Sequence, residues 1–223
     1  MCGRFTLIAD MDLIVHRFKI AYLSDGLQLL PRYNIAPSQQ VLAVVNDGEK
    51  NRLGQLRWGL IPSWAKDTRI GNKLINARAE TVDEKASFRR SFARRRCLIL
   101  ADSFYEWKQG DGKKMPFRIR LKSGELFAFA GLWDRWVSPE GEAVYSCTIV
   151  TTSANALMTD IHGRMPVILQ REDEEVWLDR GYDESDDLKQ LLQPYPAEQM
   201  EAYEVSPFVN SPRNDTPECI ERV

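Results

Sequence analysis

Short apolar runs broken by turn signals recur through the middle of this 223-residue chain, and they constrain its fold more than any other feature. In one of them, Phe117, Ile119 and Leu121 alternate with charged residues, which is typical of a strand that buries one face. The Ser123-Gly124 pair that follows predicts a hairpin turn into the next strand. Strands are predicted at 41–45, 56–60, 97–101, 117–121, 126–130 and 144–150.

Helical periodicity is confined to four segments. After Asp10, a predicted N-cap, Met11, Ile14, Val15 and Phe18 recur at the spacing of one helix face. Helices are predicted at 11–22, 83–94, 153–160 and 172–192. Many strands and few helices predict an α+β fold, in which a mainly antiparallel sheet or barrel-like β core is flanked by short helices.

Composition narrows the class of protein. With 43% hydrophobic and 28% charged residues the chain can bury a large core, and we expect one domain over residues 1–223. The sequence has no apolar run of about 18 residues and no signal-peptide pattern, so we expect a cytoplasmic protein without membrane contact. Its four cysteines lack paired spacing, and we expect no disulfide, no metal site and no cofactor.

Charge is distributed unevenly. The net charge of −2 argues by itself against nucleic-acid binding, but five arginines cluster within residues 89–96 and leave a basic face open as a DNA contact. Phe88 and Phe92 in the same segment predict that one side of its helix is buried.

Cys2 carries the most specific chemistry. Removal of Met1 by an aminopeptidase would place a free α-amine beside the Cys2 thiol. An α-amine with a pKa of ~7.7–8.0 is partly neutral at pH 7 and can add to an aldehyde, after which the thiol can close a thiazolidine ring. The amine could instead act as a base for the thiol, as in N-terminal nucleophile hydrolases.

Other polar side chains lie at predicted element ends. Asn76 and Arg78 are two residues apart and point the same way if extended. Glu106 lies between Tyr105 and Trp107, and a carboxylate removed from water by aromatic neighbours is suited to general acid/base catalysis. His162, one of two histidines, lies in a predicted turn and is the better catalytic histidine.

Six motifs together resemble one family. They are Cys2-Gly3-Arg4-Phe5, Arg32-Tyr33-Asn34-Ile35-Ala36-Pro37, Trp58-Gly59-Leu60-Ile61-Pro62-Ser63-Trp64, Asn76-Ala77-Arg78-Ala79-Glu80-Thr81, Phe104-Tyr105-Glu106-Trp107 and Asp160-Ile161-His162-Gly163-Arg164-Met165-Pro166. In this order, and over Cys2 to about Phe208, the chain resembles the SRAP family, the SOS response-associated peptidases. Members of that family shield abasic sites in single-stranded DNA by forming a DNA-protein crosslink through the N-terminal cysteine.

The resemblance implies a role for each matching residue. Cys2 is then the nucleophile that attacks the ring-opened sugar, Asn76 positions the reacting groups, and Glu106 and His162 act as acid and base. The DNA-binding residues implied are Arg4, Asn34, Trp64, Arg78, Thr151 and Arg164. The implied partner is single-stranded DNA with abasic sites, bound by a monomer without a cofactor or metal.

One position departs from the family pattern. Trp64 is expected to stack on a base beside the lesion, but relatives have a second aromatic residue where this chain has Ala65. No preference for junctions between single-stranded and double-stranded DNA is therefore predicted for this sequence.

Two other classes of function remain open. A thiol peptidase would use the Cys2 thiolate with His162 as its base, and it would require a lowered thiol pKa. A noncovalent single-stranded DNA-binding protein would use the arginines and Trp64 but would not need Cys2.

Overall fold

Within residues 2–110, 112–182 and 184–223, which the computed structural model describes, thirteen strands form two sheets. The strands are β1 Arg4–Leu7, β2 Ile20–Leu23, β3 Arg32–Ile35, β4 Gln40–Asn46, β5 Asn51–Trp58, β6 Asn76–Arg78, β7 Arg96–Ala101, β8 Ser103–Gln109, β9 Lys114–Leu121, β10 Phe127–Val137, β11 Ala143–Ser153, β12 Arg164–Pro166 and β13 Met200–Glu204. The helices are α1 Met11–Arg17, α2 Arg89–Arg94, α3 Ala156–Thr159, α4 Glu174–Leu178 and α5 Ser185–Gln190. Short 3-10 segments occupy Thr68–Lys73, Ala79–Thr81, Ala197–Gln199, Pro207–Asn210 and Pro217–Ile220.

The larger sheet closes into a five-stranded barrel. Its strand order runs β12-β11-β10-β7-β4-β5-β2, and β11 also pairs with β5, so β5, β4, β7, β10 and β11 form a ring. The closing contact is parallel, with Ser146 opposite Arg57 and Cys147 opposite Trp58. The smaller sheet has the antiparallel order β13-β9-β8-β1-β3. The α+β prediction with a mainly antiparallel, barrel-like core is confirmed.

The predicted hairpin at Ser123-Gly124 is wrong. A turn does form there, since Gly124 has φ +72° and its N–H donates to the Leu121 carbonyl at 3.1 Å. The strands on its two sides belong to different sheets: β9 pairs with β8 and β13, whereas β10 pairs with β7 and β11. At the start of β10 one edge pairs with β7 and the other bonds to Val167 and Leu169, which leaves no place for β9 beside it.

The six predicted strands all overlap observed ones, but the predicted helices are too long. Asp10 caps α1 as expected, because its side chain accepts from the Leu13 N–H at 2.7 Å. The helix ends at Arg17 since Lys19 adopts φ +49° and Ile20 then enters β2, which pairs with β5. Strand β5 likewise ends at Trp58, before a glycine with φ +125°. The segments predicted at 83–94 and 153–160 shorten to α2 and α3.

The segment predicted as one helix at 172–192 is divided into α4 and α5. Arg96 is 4% exposed, and its guanidinium donates to the carbonyls of Trp177 at 2.7 Å and Tyr182 at 2.8 Å, and to that of Asp179. These carbonyls lie at and beyond the end of α4, so one buried cation satisfies the acceptors that a continuing helix would have used. Asp183 lies outside the described residues.

An aromatic cluster joins the first strand to the barrel. Phe5 packs edge-on against Trp58 and Phe129, with ring centroids 5.2 and 5.6 Å apart, and Phe104 and Phe127 contact Phe129 in the same way. Such edge-to-face pairs add about 0.5–1.5 kcal/mol each beyond burial. The N-terminal strand is thus fixed to the core immediately after Cys2.

Two further sequence expectations concern the apolar parts of the chain. Cys97 and Cys147, which lie inside apolar runs of the sequence, are buried in the core, and the four cysteines of the described region are all unbridged. None of the described helices has the length and apolar character that crossing a bilayer requires.

Candidate functional site

Strand β1 carries the N-terminal cysteine motif into the core. Arg4 pairs with Tyr105 and Phe5 with Phe104, so β8 fixes the residues that precede β1. Cys2 is 0% exposed, and its Sγ lies 3.9 Å from the carbonyl oxygen of Arg4. Met1, whose removal is expected to free the Cys2 amine, lies outside the described residues.

A cavity of about 470 Å³ opens at this part of the molecule. Its lining includes Arg4, Glu106 and His162, three residues that the sequence predicts as site residues. The other lining residues are Trp107, Lys114 and Asn210. Segments that are distant in the sequence therefore meet around one opening, as a ligand site requires.

The thiol of Cys2 is held in its neutral form. Burial raises its pKa well above the usual range, and the negative charge of the nearby Glu106 carboxylate raises it further. Glu106 is itself only 3% exposed. A thiolate nucleophile needs the opposite environment, in which cationic neighbours lower the pKa of the thiol.

Asn76 begins β6, which pairs in parallel with β11 opposite Ile149. Its side-chain Nδ2 and Oδ1 atoms are both buried, and neither has a hydrogen-bond partner among the described residues. Leaving a buried polar group unsatisfied costs about 1–3 kcal/mol, so this amide lowers the stability of the fold. Asn76 is not among the residues that line the cavity, so a bond between its amide and a ligand stays a prediction.

Strand β11 also brings together Arg78, Thr151 and Arg164. Thr151 pairs with Arg78, and Ser153 pairs with Arg164. Arg164 donates to the two carboxylate oxygens of Glu80 at 2.9 and 3.0 Å, which holds the pKa of Glu80 below its usual range, and to the Thr151 carbonyl at 2.6 Å. Arg78 is exposed, and its side chain makes no hydrogen bond within the described part of the chain.

His162 lies between α3 and β12, and its ring is oriented by the backbone of that loop. Its Nδ1 accepts from the N–H of Arg164 at 3.0 Å. The same nitrogen lies 3.2 Å from the Arg164 carbonyl oxygen. Both contacts hold the imidazole in one orientation where it lines the cavity.

Arg4 and Asn34 are both occupied by the C-terminal segment. Arg4 donates to the Asn34 side-chain oxygen and the Val209 carbonyl at 2.8 Å each, and to the Asn210 carbonyl at 3.1 Å. Asn34 is 0% exposed and its amide donates to the carbonyls of Val209, Ser211 and Asn214. DNA contact by Asn34 stays a prediction, and its observed contacts are with the protein.

Trp64 lies on an anchored surface loop. The Ser63 N–H donates to Asp134 at 2.8 Å, and the Ala65 carbonyl accepts from the Trp136 indole at 2.7 Å. Trp64 between them is 58% exposed. A fixed loop that presents an exposed indole is compatible with the predicted stacking on a base.

The five arginines within residues 89–96 differ in the contacts that they make. Phe88 and Phe92 are buried as predicted. Arg96 is enclosed by carbonyl groups, and Arg95 pairs with the buried Asp134, so neither contributes an uncommitted charge to a basic face. Arg94 also has a protein partner, the Arg180 carbonyl at 3.4 Å, so any contact of this cluster with DNA would fall mainly to Arg89 and Arg90.

Three cavity residues, Trp107, Lys114 and Asn210, are not among the predicted site residues. Lys114 follows a glycine-containing turn, and Asn210 lies in the Pro207–Asn210 segment; both are exposed and both line the cavity. Lys114 lies three residues before the strand predicted at 117–121 and begins the observed β9, which pairs with the Glu106 strand. Nothing in the local sequence around Asn210 marks it as part of the site.

Among the described residues, no group of three or more His, Cys, Asp or Glu side chains has the arrangement of a metal site. The cavity is lined instead by acid/base groups, nitrogen donors and an indole.

Comparison with known proteins adds to this geometry: a family model described as SOS response associated peptidase (SRAP) matches residues 1–212.

The chain belongs to the SRAP family. It is 58% identical over 223 residues to the abasic site processing protein YoqW of Bacillus subtilis, with 99% of each chain covered. It is 31% identical to the abasic site processing protein HMCES of Rattus norvegicus, covering 99% of this chain and 75% of that protein. A crystal structure of a protein from Bacteroides thetaiotaomicron has a TM-score of 0.88 and 28% identity, with both chains covered fully.

These SRAP relatives confirm the family resemblance seen in the six motifs. Their similarity extends over nearly the whole chain, so the motif residues lie in the same fold as in the relatives. The cavity with Arg4, Glu106 and His162 is therefore the candidate site of an SRAP protein.

Proposed function

We propose that this protein senses abasic sites in single-stranded DNA and crosslinks to them through Cys2. The relatives named as abasic site processing proteins support this substrate. The observation that carries the proposal is the cavity in which Arg4, Glu106 and His162 meet, together with the buried Cys2 that the Glu106 charge affects.

The chemistry begins after removal of Met1. The Cys2 amine adds to the aldehyde of the ring-opened sugar, and loss of one water gives an imine. The thiol then adds across the C=N bond: sulfur bonds to carbon, and the thiol proton goes to nitrogen. The product is a thiazolidine, and it no longer contains the iminium that drives β-elimination and strand cleavage.

A neutral thiol suits this sequence of steps. Burial and the Glu106 charge raise the pKa of the Cys2 thiol, which favours a protonated thiol that can deliver its proton to nitrogen during ring closure. Glu106 and His162 exchange protons with the sugar oxygen and the amine in this cavity, and Asn76 bonds to the reacting sugar through its unsatisfied amide.

Recognition depends on the DNA backbone, since a lesion without a base offers only sugar and phosphate. Arg78 is exposed and uncommitted, and Arg164 and Thr151 lie beside it on β11 and β12. Arg4 contributes at the cavity wall. We expect a monomer to suffice, because one chain supplies these groups, and we expect it at the nucleoid when bound to DNA.

A thiol peptidase that uses Cys2 and His162 is less well supported. The pKa of the Cys2 thiol is raised, whereas a thiolate nucleophile needs it lowered. Self-processing and reversal of the crosslink remain subordinate parts of the proposal.

Mass spectrometry tests the proposed function. Protein with Met1 removed is mixed with a single-stranded oligonucleotide that carries one abasic site, beside Cys2→Ala protein and an intact oligonucleotide. The expected product has the mass of protein plus DNA less one water, and it is absent from both controls. Absence of this product, with a free N-terminal cysteine verified, would reject the covalent mechanism.

A further inference from the structure

The arginines at the site are largely committed to protein partners, whereas the Lys114 ammonium and the side-chain nitrogen of Asn210 have none within the described part of the chain. Arg4 bonds to Asn34 and two carbonyls, and Arg164 bonds to Glu80 and Thr151. Lys114 and Asn210 line the same cavity as Arg4 and are exposed. The Lys114 ammonium forms no ion pair or hydrogen bond within the described part of the chain.

The chemistry of its partner fixes the orientation of the Asn210 amide. The Trp107 indole Nε1 lies 2.7 Å from the Asn210 side-chain oxygen. Because an indole N–H can only donate, the oxygen must face Trp107 and the Nδ2 group must point elsewhere. The backbone of Asn210 is also fixed, since its carbonyl accepts from Arg4 at 3.1 Å. Its two amide donors are thus held in place and make no hydrogen bond to the described residues.

Strand register places Lys114 beside the same indole. Trp107 lies opposite Pro116, and Gln109 lies opposite Lys114. Lys114 and Trp107 are therefore diagonal neighbours on one face of the β8–β9 pair, within reach of long side chains. Arg4 lies on that face as well, with its guanidinium 5.8 Å from the centroid of the Trp107 ring.

We propose that Lys114 and Asn210 form a phosphodiester-binding subsite at the mouth of the cavity. The subsite holds the backbone phosphate next to the sugar that reacts with Cys2, and the inference rests on the proposed function. Lys114 supplies charge and Asn210 supplies two oriented N–H donors, a combination that suits a phosphate group. Trp107 fixes the amide and forms the wall between the two residues.

Noncovalent binding tests the subsite separately from the crosslink. The parent protein is Cys2→Ala, and the probe is a single-stranded oligonucleotide with one tetrahydrofuran residue, an abasic analogue that has no aldehyde. Fluorescence anisotropy gives Kd over a series of salt concentrations. Loss of one phosphate contact on single-stranded DNA should reduce the slope of log Kd against log salt by about 0.7.

Lys114→Gln should weaken binding about tenfold at low salt and reduce the slope by that amount, and Lys114→Arg should restore the slope. Lys113→Gln is the matched control, because Lys113 is the adjacent exposed lysine and does not line the cavity. Asn210→Asp keeps an oxygen acceptor for Trp107 but replaces the donors with a negative charge. It should weaken binding at least tenfold without changing the melting temperature by more than a few degrees.

Equal slopes for Lys114→Gln and Lys113→Gln would overturn the subsite and leave the proposed function intact. Binding by Asn210→Asp as tight as that of the parent would overturn the role of the amide. Failure of the parent itself to prefer the tetrahydrofuran oligonucleotide over an intact strand would instead count against both the proposed function and the subsite.

Discussion

The buried Cys2 thiol lies within the electrostatic influence of the Glu106 carboxylate, and this charge adds to the effect of burial in raising the thiol pKa. Glu106→Gln should therefore lower the pKa of Cys2. The same change removes an acid/base group from the cavity and should slow crosslinking by about 10²–10⁴-fold. A lower thiol pKa would speed a mechanism that needs a thiolate. Loss of the acid/base group would slow the mechanism in which the amine reacts first.

The measurement is the pH dependence of Cys2 alkylation by iodoacetamide, followed by mass spectrometry, beside the rate of adduct formation. Glu49→Gln is the control, because Glu49 is an exposed carboxylate on the turn between β4 and β5 and its substitution changes the net charge by the same amount. Faster adduct formation in Glu106→Gln would favour a thiolate nucleophile and contradict the amine-first sequence.

Asn76→Ala should separate function from stability. The substitution removes two buried polar atoms that have no partner among the described residues, and this gain opposes the cost of the small cavity that it leaves, so the free energy of unfolding should stay within about 1 kcal/mol of wild type. Adduct formation should slow at least tenfold. Asn34→Ala, which removes donors from three carbonyls, should lower the free energy of unfolding by about 2 kcal/mol or more.

Urea denaturation and adduct formation at a fixed temperature compare these two variants. A loss of stability in Asn76→Ala as large as that in Asn34→Ala would mean that Asn76 acts mainly in the fold.

Trp64→Ala should weaken binding of single-stranded DNA by about 1–3 kcal/mol, because the exposed indole is the stacking surface proposed beside the lesion. Trp64→Phe keeps an aromatic face and should recover most of the affinity. The melting temperature should be unchanged, since the loop is anchored through Ser63 and Ala65. Equal Kd values for Trp64→Ala and wild type, measured by anisotropy, would exclude this stacking contact.

Alkaline pH should destabilise the protein through its buried thiols. Burial raises the pKa values of Cys97 and Cys147, and mutual charge repulsion raises that of Cys97 further. In the unfolded chain a thiol titrates near ~8.5, so above that pH the folded state binds more protons than the unfolded state. The contribution to stability is complete below pH ~8.5 and is lost as the pH rises, by up to about 1.4 kcal/mol per pH unit for each thiol.

Urea unfolding between about pH 8 and pH 10.5 measures this slope. Cys147→Ala should be less stable at every pH because it leaves a small cavity, but its stability should fall less steeply than that of wild type. Parallel curves for the two proteins would show that this thiol does not titrate on unfolding.

The sequence predicts local structure better than it predicts pairing. Alternation at Phe117, Ile119 and Leu121 identifies a strand correctly, because that pattern reflects which face is buried. The turn at Ser123-Gly124 reverses the chain but does not determine which strands become neighbours, so β9 and β10 enter different sheets. The helices at 11–22 and 172–192 are overextended for a similar reason: distant partners, β5 and Arg96, end them.

Residue type and local setting were enough to predict some site residues, but they did not predict which residues would lie beside them in space. Glu106 and His162 were predicted from residue type and setting, and the structure places both at one cavity. Asn210 could not be predicted, since its relation to Arg4 crosses 206 positions of sequence and involves a backbone carbonyl, which carries no residue-specific signal. The hydrogen bonds from Arg4 to the carbonyls of Val209 and Asn210 could not be predicted for the same reason.

The pairing of Arg4 with the Asn210 carbonyl also sets an order of events during synthesis. A nascent chain that has not yet reached Asn210 lacks this wall of the cavity, although β1 has long since left the ribosome. Cys2 is 0% exposed once the fold is complete, so this residue is enclosed as β1 packs into the core. On the proposed function, the reactive residue leaves the ribosome first, and the last segment to be made completes the wall of the cavity in which it reacts.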